Sequence, residues 1–315
     1  MGYGVRMNDL SLPACRVCGA SAGFRSVLDI PGLLVVRCPV CGLVFEVLEG
    51  QGETDVGYDN IYPRSPSSGR PRRGLRRRFG IWESRLKAAP GSRVLEVGCS
   101  YGFFVEYLVE RGWRAQGVDV SANAVSYARG RGLSCRCLRI EDFPPGETFD
   151  AVVMIHVLEH LPRPVEMLKF VSTLLEPAGI VYIRVPNLAS RLVNRGRTAL
   201  LGHLKPREHL SYFTPETLTR ALGAAGFSAE VGVEGRNSWA DLANSRLRSR
   251  LVSSQAWRDF NYRTPLQEKN LYTFFKTLYE NHLLRFLSAF PCGGEDREVV
   301  AVGRKRKENS EPATE

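Results

Sequence analysis

From residue 92 onward, apolar positions arrive in short β-branched runs, and the stretches between them carry apolar residues at helical spacing. The runs are "RVLEVGC" (93–99), "RAQGVDV" (114–120), "SCRCLRI" (134–140), "FDAVVMI" (149–155), "AGIVYIRV" (178–185) and, after a long interval, "REVVAVG" (297–303). Strands alternating with helices pair in parallel and are covered on both faces, so the expected fold class is α/β, a doubly wound Rossmann-like sheet. Upstream, Leu75, Phe79, Trp82 and Leu86 recur every three or four residues and predict an amphipathic helix. Its wet face carries the arginines of "RPRRGLRRR" (70–78). Thr214 and Pro215 open another helix, "PETLTRALGAAGF", as N-cap and first-turn proline.

Composition narrows the partners. At 315 residues and 43% hydrophobic, the chain can bury one large domain plus a small module. It holds no apolar stretch of about 18 residues, and "MGYGVRMNDL" lacks the apolar core of a secretory peptide. The expectation is a cytoplasmic protein with no transmembrane segment. The formal charge is +10, from 43 Lys and Arg against 33 Asp and Glu, which suits nucleic acid, a membrane surface or a phosphorylated substrate. One basic concentration is already assigned to a helix face. The other, "RKRK" (304–307), begins a polar tail, residues 304–315, expected to be frayed and disordered. No aromatic residue interleaves with it, so nucleic acid is not the favoured partner.

Eight cysteines are present, four of them in "CRVCG" and "CPVCG": Cys15-x2-Cys18, a gap of 19 residues, then Cys38-x2-Cys41. Two such turns bring four sulfurs to one tetrahedral Zn²⁺ at about 2.3 Å, with Gly19 and Gly42 where each turn needs a left-handed residue. Two disulfides are the competing arrangement, but in a reducing compartment this pattern binds metal. Four thiolates leave no open position, so the zinc is expected to be structural, contributing on the order of 10 kcal/mol to a module this small. Cys99, Cys135, Cys137 and Cys292 lack partner spacing and read as small buried hydrophobes.

In "EVGCSYG", Gly98 and Gly102 follow the first strand and open a helix, where small residues and exposed N–H groups let a ligand approach the backbone. The next strand ends in "GVDVS", and Asp119, 23 residues after Glu96, can accept hydrogen bonds from both hydroxyls of a ribose. Together they predict an adenosine-bearing cofactor. Gly98-x-x-x-Gly102 departs from the G-x-G-x-x-G of dinucleotide folds. The strand at 149–155 runs into His156-x-x-Glu159-His160, in outline the inverted zinc-protease motif. That motif needs a continuous helix, which a strand before it and Pro162 and Pro164 within it exclude.

In order, the blocks "VLEVGCSYG", "GVDVS", "FDAVVMIHVLEHLPRP" and "LLEPAGIVYIRVPN" resemble class I S-adenosylmethionine (SAM) methyltransferases over residues 80 to 235. "YDNIY" and the cysteine knuckles extend the resemblance forward. It is closest to the ubiquinone-biosynthesis-like group and its zinc-ribbon members in sugar, polysaccharide and secondary-metabolite pathways. The resemblance implies a seven-stranded sheet with SAM against Glu96, Gly98, Cys99, Ser100 and Gly102. It puts the ribose at Asp119 and Val120, the adenine beside Ile140 and Glu141, and the transferable methyl beside His156. Ser100 stands where relatives have glycine, and Arg139 where many have an acidic or small residue.

Ligands of parallel sheets bind beyond the carboxyl ends of the strands, which sets His156 at the methyl. A neutral imidazole suits the removal of a proton from an alcohol acceptor, with Glu159 to orient it. His160 is either a second chemical group or a turn hydrogen bond. His209, in "REHLSYFTPETL", is either an acceptor-side group or a locally satisfied loop histidine. Some relatives have Glu-x-x-Glu-His here and hold a divalent cation, but this chain has His156 in place of the first glutamate.

The expected organisation is a zinc ribbon at 1–60, a linker and amphipathic helix at 61–90, and the methyltransferase domain at 91–303. Inserts at 187–213 and 236–296 build the acceptor side. The second insert is rich in aromatics, from Trp257 to Tyr279, suited to a substrate lid, a homodimer interface or a helical core face. The expected function is methyl transfer from SAM to a small-molecule or glycan hydroxyl. Alternatives are C-methylation of a nucleotide sugar, an RNA methyltransferase, or a scaffold that has lost its chemistry.

Overall fold

The computed structural model describes residues 14–30, 33–47, 73–190, 204–205, 208–235 and 297–306. The "YDNIY" block, the second insert with its aromatics, Cys292 and the tail from residue 307 lie outside them, as does most of the first insert.

A seven-stranded sheet forms the body, in the order β10-β11-β8-β7-β4-β5-β6. Its strands are β4 (Arg93–Val97), β5 (Arg114–Asp119), β6 (Cys135–Cys137), β7 (Phe149–Ile155), β8 (Leu175–Pro186), β10 (Phe227–Glu234) and β11 (Glu298–Lys305). Neighbours from β6 to β8 are parallel, and β11 pairs antiparallel with both β8 and β10. The order reverses between β4 and β7, which opens a crevice at their carboxyl ends. Helices α1 (Arg73–Arg85), α2 (Phe103–Glu110), α3 (Ala122–Gly130), α4 (Pro164–Thr173) and α5 (Pro215–Ala224) accompany the sheet.

Helix α1 forms as its periodicity requires: Phe79, Trp82 and the following Leu86 are buried with Phe104 and Tyr107, while Arg76, Arg77 and Arg78 face water. Thr214 caps α5 in a reciprocal box with Thr217, with Pro215 in its first turn. Three expectations shift. The run 134–140 is a strand only over Cys135–Cys137, because Ile140 to Asp142 turn into a 3-10 helix. At the other end β11 continues through Lys305, so the basic tail starts inside the sheet. Lys305 donates to the carbonyl of Leu175 at 2.9 Å, and Arg306 N–H to that of Gly226 at 3.0 Å. Cys99 and Cys135 are buried as expected, but Cys137 is exposed, since β6 is an edge strand.

The second sheet is small and antiparallel: β1 (Arg25–Ile30), β2 (Leu33–Arg37), β3 (Val44–Val47) and, from far along the chain, β9 (Ser211–Tyr212). Val44 pairs with Tyr212 and Phe45 with Ser211. The cysteine-bearing module is thus completed by the segment that follows His209. Val17, Phe24, Val36, Leu43 and Phe45 share one continuous core with Leu158, Phe213 and Leu218 of the larger body.

Candidate functional site

The cofactor side is built from backbone. After β4, Gly98 and Cys99 donate their N–H groups to the carbonyl of Val118 at 2.8 and 3.1 Å, folding the loop back over β5. Gly98 has φ of 72°, and a Cβ there would lie 2.5 Å from the Val157 side chain, so only glycine fits. Ser100 takes φ of 49° without being glycine, a conformation that stores strain and clusters at ligand sites. It is held by Asp119, whose carboxylate accepts from Ser100 N–H at 2.8 Å and Ser121 N–H at 2.9 Å.

Beneath the loop Glu96 is buried and its Oε2 has no protein partner. Burial, with the nearby Cys135 and Asp119, raises its carboxyl well above the ordinary range. A buried acceptor without a donor calls for one, and a SAM methionine group at the loop supplies N–H donors. Val120 is exposed at the mouth of the same crevice, an apolar residue that an adenosine would cover. Ile140 is buried and Glu141 exposed, so only Ile140 offers an apolar floor. These residues fit SAM.

The acceptor side begins where β7 ends. His156 takes φ of 55°, which turns the chain off the strand and leaves its side chain 43% exposed among buried neighbours. Its Nδ1 lies 3.2 Å from Oε1 of Glu159. A carboxylate only accepts, so this contact is a hydrogen bond in the tautomer that bears its proton on Nδ1, which leaves Nε2 with the lone pair. Nε2 stands 3.6 Å from Oε2 of Glu298, which Arg184 pairs through its Nε. Arg184 in turn holds Glu234 at 3.0 Å. Sequence reading passed over Glu298 and Arg184, although a charged residue within the apolar run "IVYIRV" was the available signal.

His160 is in the turn that Leu158–His160 makes as a 3-10 helix, and its Nδ1 donates to the carbonyl of Glu208. The side chain thus bonds not across its own turn but to a segment 48 positions away, and this leaves Nε2 as the available nitrogen, 4.0 Å from Glu159. His209 is buried, its ring 4.9 Å from that of His160. The structure thus brings all four histidine-cluster candidates together. Ligand atoms of Glu159, His160 and His209 lie within 4.8 Å of one another, and Oε2 of buried Glu159 has no hydrogen-bond partner. This set can hold a divalent cation.

The four knuckle cysteines converge. Their sulfurs lie within 4.8 Å of one another, with Cys15–Cys41 and Cys18–Cys38 at 3.5 Å. Tetrahedral zinc at about 2.3 Å places sulfurs about 3.8 Å apart, so the geometry fits the metal and no pair is at disulfide distance. Gly19 and Gly42 take φ of 73° and 82° as each turn demands. Burial raises the Cys41 thiol, whereas at Cys38 burial is outweighed by the backbone bonds from Cys41 and Val40 and the thiols of Cys18 and Cys15 taken together, which bring it to about 7.

A central parallel sheet with one antiparallel hairpin edge, and a glycine loop over a buried carboxylate at its switch point, define a class I SAM-dependent methyltransferase. Residues 70–230, just over half of the chain, match the family model described as a methyltransferase domain, and the protein belongs to that family. The ubiquinone biosynthesis O-methyltransferase of Chromobacterium violaceum is 31% identical over 162 residues, 47% of this chain and 69% of that protein. The enzyme of the same description from Idiomarina loihiensis is 28% identical over 171 residues, 50% of this chain and 70% of that protein. Among solved structures, a SAM-dependent methyltransferase from Archaeoglobus fulgidus aligns at 20% identity and a TM-score of 0.49, covering 75% of this chain and 95% of that one. Among the described residues, no helix is long and apolar enough to cross a membrane.

Proposed function

We propose that this methyltransferase acts on a hydroxyl of a small-molecule or glycan acceptor, with His156 as general base. The observation that carries the reading is the His156–Glu159 contact at 3.2 Å, at the end of β7 with the imidazole exposed. SAM, when bound along Glu96, Gly98, Ser100, Gly102 and Asp119, supplies the electrophilic methyl. His156 Nε2 takes the acceptor proton as the O–CH₃ bond forms and the C–S bond breaks. Glu159 on one nitrogen and Glu298 near the other stabilise the resulting imidazolium. O-methylation is further supported by the two ubiquinone biosynthesis O-methyltransferases, whose names state that chemistry.

Zinc in the Cys15, Cys18, Cys38 and Cys41 site belongs to the same reading, as does a reducing, cytoplasmic setting for those thiols. A second reading, in which Glu159, His160 and His209 hold a cation that binds the acceptor oxygen, is favoured by the unpartnered Oε2 of Glu159. The test is incubation with methyl-labelled SAM and a host extract, separated into nucleic-acid, glycan or lipid, and small-molecule fractions. Nuclease-resistant label is expected, and His156→Ala should keep SAM affinity while losing about 10²- to 10⁴-fold in turnover. Label released by ribonuclease, or equal turnover in the variant, overturns the reading. Loss of transfer with a chelator that leaves the cysteine site loaded selects the cation instead.

A further inference from the structure

The peptide groups of Leu210 lie between the cysteine module and the histidine turn. The Leu210 N–H donates to the carbonyl of Glu159 at 2.8 Å, and its carbonyl accepts from Glu46 N–H, in β3, at 3.0 Å. That carbonyl also accepts from Nη1 of Arg16, whose Nη2 donates to the carbonyl of Glu46 at 2.9 Å. Arg16 sits inside the first knuckle, between Cys15 and Cys18, with its guanidinium over the Phe45 ring at 5.6 Å. A planar fork that fixes two carbonyls, one in β3 and one just before β9, sets their spacing, which a lysine ammonium does not reproduce.

The clamped residue is next to the chemistry. His209 immediately precedes Leu210, and Glu208 before it accepts from His160. A shift of Leu210 therefore moves His209, the hydrogen bond that orients His160, and the backbone of Glu159 together. Leu210 O keeps the Glu46 N–H when the guanidinium is removed, so the strand pairing has its own support.

We propose that Arg16 is a positioning residue for methyl transfer. From within the metal knuckle it clamps Leu210 and so holds Glu159, His160 and His209 in register with His156. The cysteine module thereby becomes part of the active-site frame. The inference rests on the reading of His156 and Glu159 as the acceptor-side machinery.

The test uses the full chain with R16M, R16K and, as a control on the exposed face of β1, R25M. The readouts are metal per chain by atomic absorption, SAM affinity by calorimetry, kcat and KM for SAM in label transfer to the host extract, and the imidazole ¹H–¹⁵N resonances of His160 and His209. R16M is expected to keep its metal and SAM affinity, lose about 10- to 100-fold in kcat with a smaller change in KM, and shift both ring resonances. R16K should recover part of kcat, and R25M should match the wild type. Wild-type turnover with unmoved resonances in R16M overturns the proposal. Metal loss in step with lost turnover in both Arg16 variants also overturns it, because Arg16 would then serve the knuckle alone. If R16M does not fold, R16K decides by the same readouts. Shifted resonances in a protein whose wild type transfers no methyl uphold the clamp and overturn the function reading instead.

Discussion

The two sides of the site are assembled in opposite ways. On the cofactor side Glu96, Gly98, Ser100 and Gly102 fall within one turn of chain, and Asp119 closes the loop through a single hydrogen bond to Ser100 N–H. On the acceptor side only His156, Glu159 and His160 are local. His209, Glu298 and Arg16 arrive from other regions, and the Arg16–Leu210 contact spans 194 positions. A local loop made of backbone tolerates distant damage, whereas a constellation assembled by tertiary contacts inherits the stability of every element it borrows. Cofactor binding and methyl transfer should therefore be separable by mutation, and remote changes should affect transfer first.

The largest expected effect tests that separation at its far end. Cys38→Ser removes one of the four sulfurs of the proposed zinc site, whose metal would contribute on the order of 10 kcal/mol in a small module. Atomic absorption should show the metal lost, and transfer should fall to background as β3 releases β9. SAM affinity, measured by calorimetry, should stay within about tenfold, because the glycine loop is held by hydrogen bonds to Val118 and Asp119 of β5. Equal loss of both functions would show that the shared core through Phe45 and Leu158 couples the two sides more strongly than their hydrogen bonds do.

The same contrast explains what was legible from sequence. The β-branched runs, the N-cap at Thr214, the cysteine turns and the glycine loop are local patterns with local physical causes, and apart from the bounds of β6 and β11 they are where expected. His156, Glu159, His160 and His209 converge as candidates, yet nothing in their spacing shows that Glu208 orients His160 or that Arg184 neutralises Glu298. The roles of Arg16 and β9 depend on a strand pairing between residues 44–45 and 211–212, which has no local periodicity to announce it. The end of β11 was missed for a related reason. Arg304 and Lys305 read as tail by charge, but their stems lie along the sheet while their heads reach the carbonyls of Ala178 and Leu175.

An intermediate effect should come from a contact that crosses between the two sides. Gly98 faces Val157, between His156 and Glu159, at a distance that admits no Cβ. Gly98→Ala combines a left-handed φ with that clash, so it should lower stability by about 1–3 kcal/mol in denaturant titrations. SAM affinity and kcat should fall together, unlike in Cys38→Ser. Adding Val157→Ala removes the obstruction and should restore part of both, leaving only the backbone cost. A double variant no better than the single would assign the damage to φ alone.

The smallest effect is on stability and isolates the cofactor side. Buried Glu96 has its carboxyl raised well above 4.5, first by burial and then by Cys135 and Asp119. With the folded-state value above the unfolded one, the fold is favoured fully below the unfolded value and loses stability as pH rises towards the folded value. Glu96→Gln removes that slope while keeping the shape. The variant should melt at a higher temperature than the wild type at pH 8, with the difference shrinking as pH falls and closing only below 4.5, where the unfolded glutamate is protonated as well. SAM affinity should drop in the same variant, since the group proposed to face the cofactor ammonium can no longer ionise against it. Stability gained and binding lost at one buried atom is the signature of a group retained for its ligand. A variant that melts lower at every pH would instead make Glu96 a structural residue whose Oε2 serves the loop backbone.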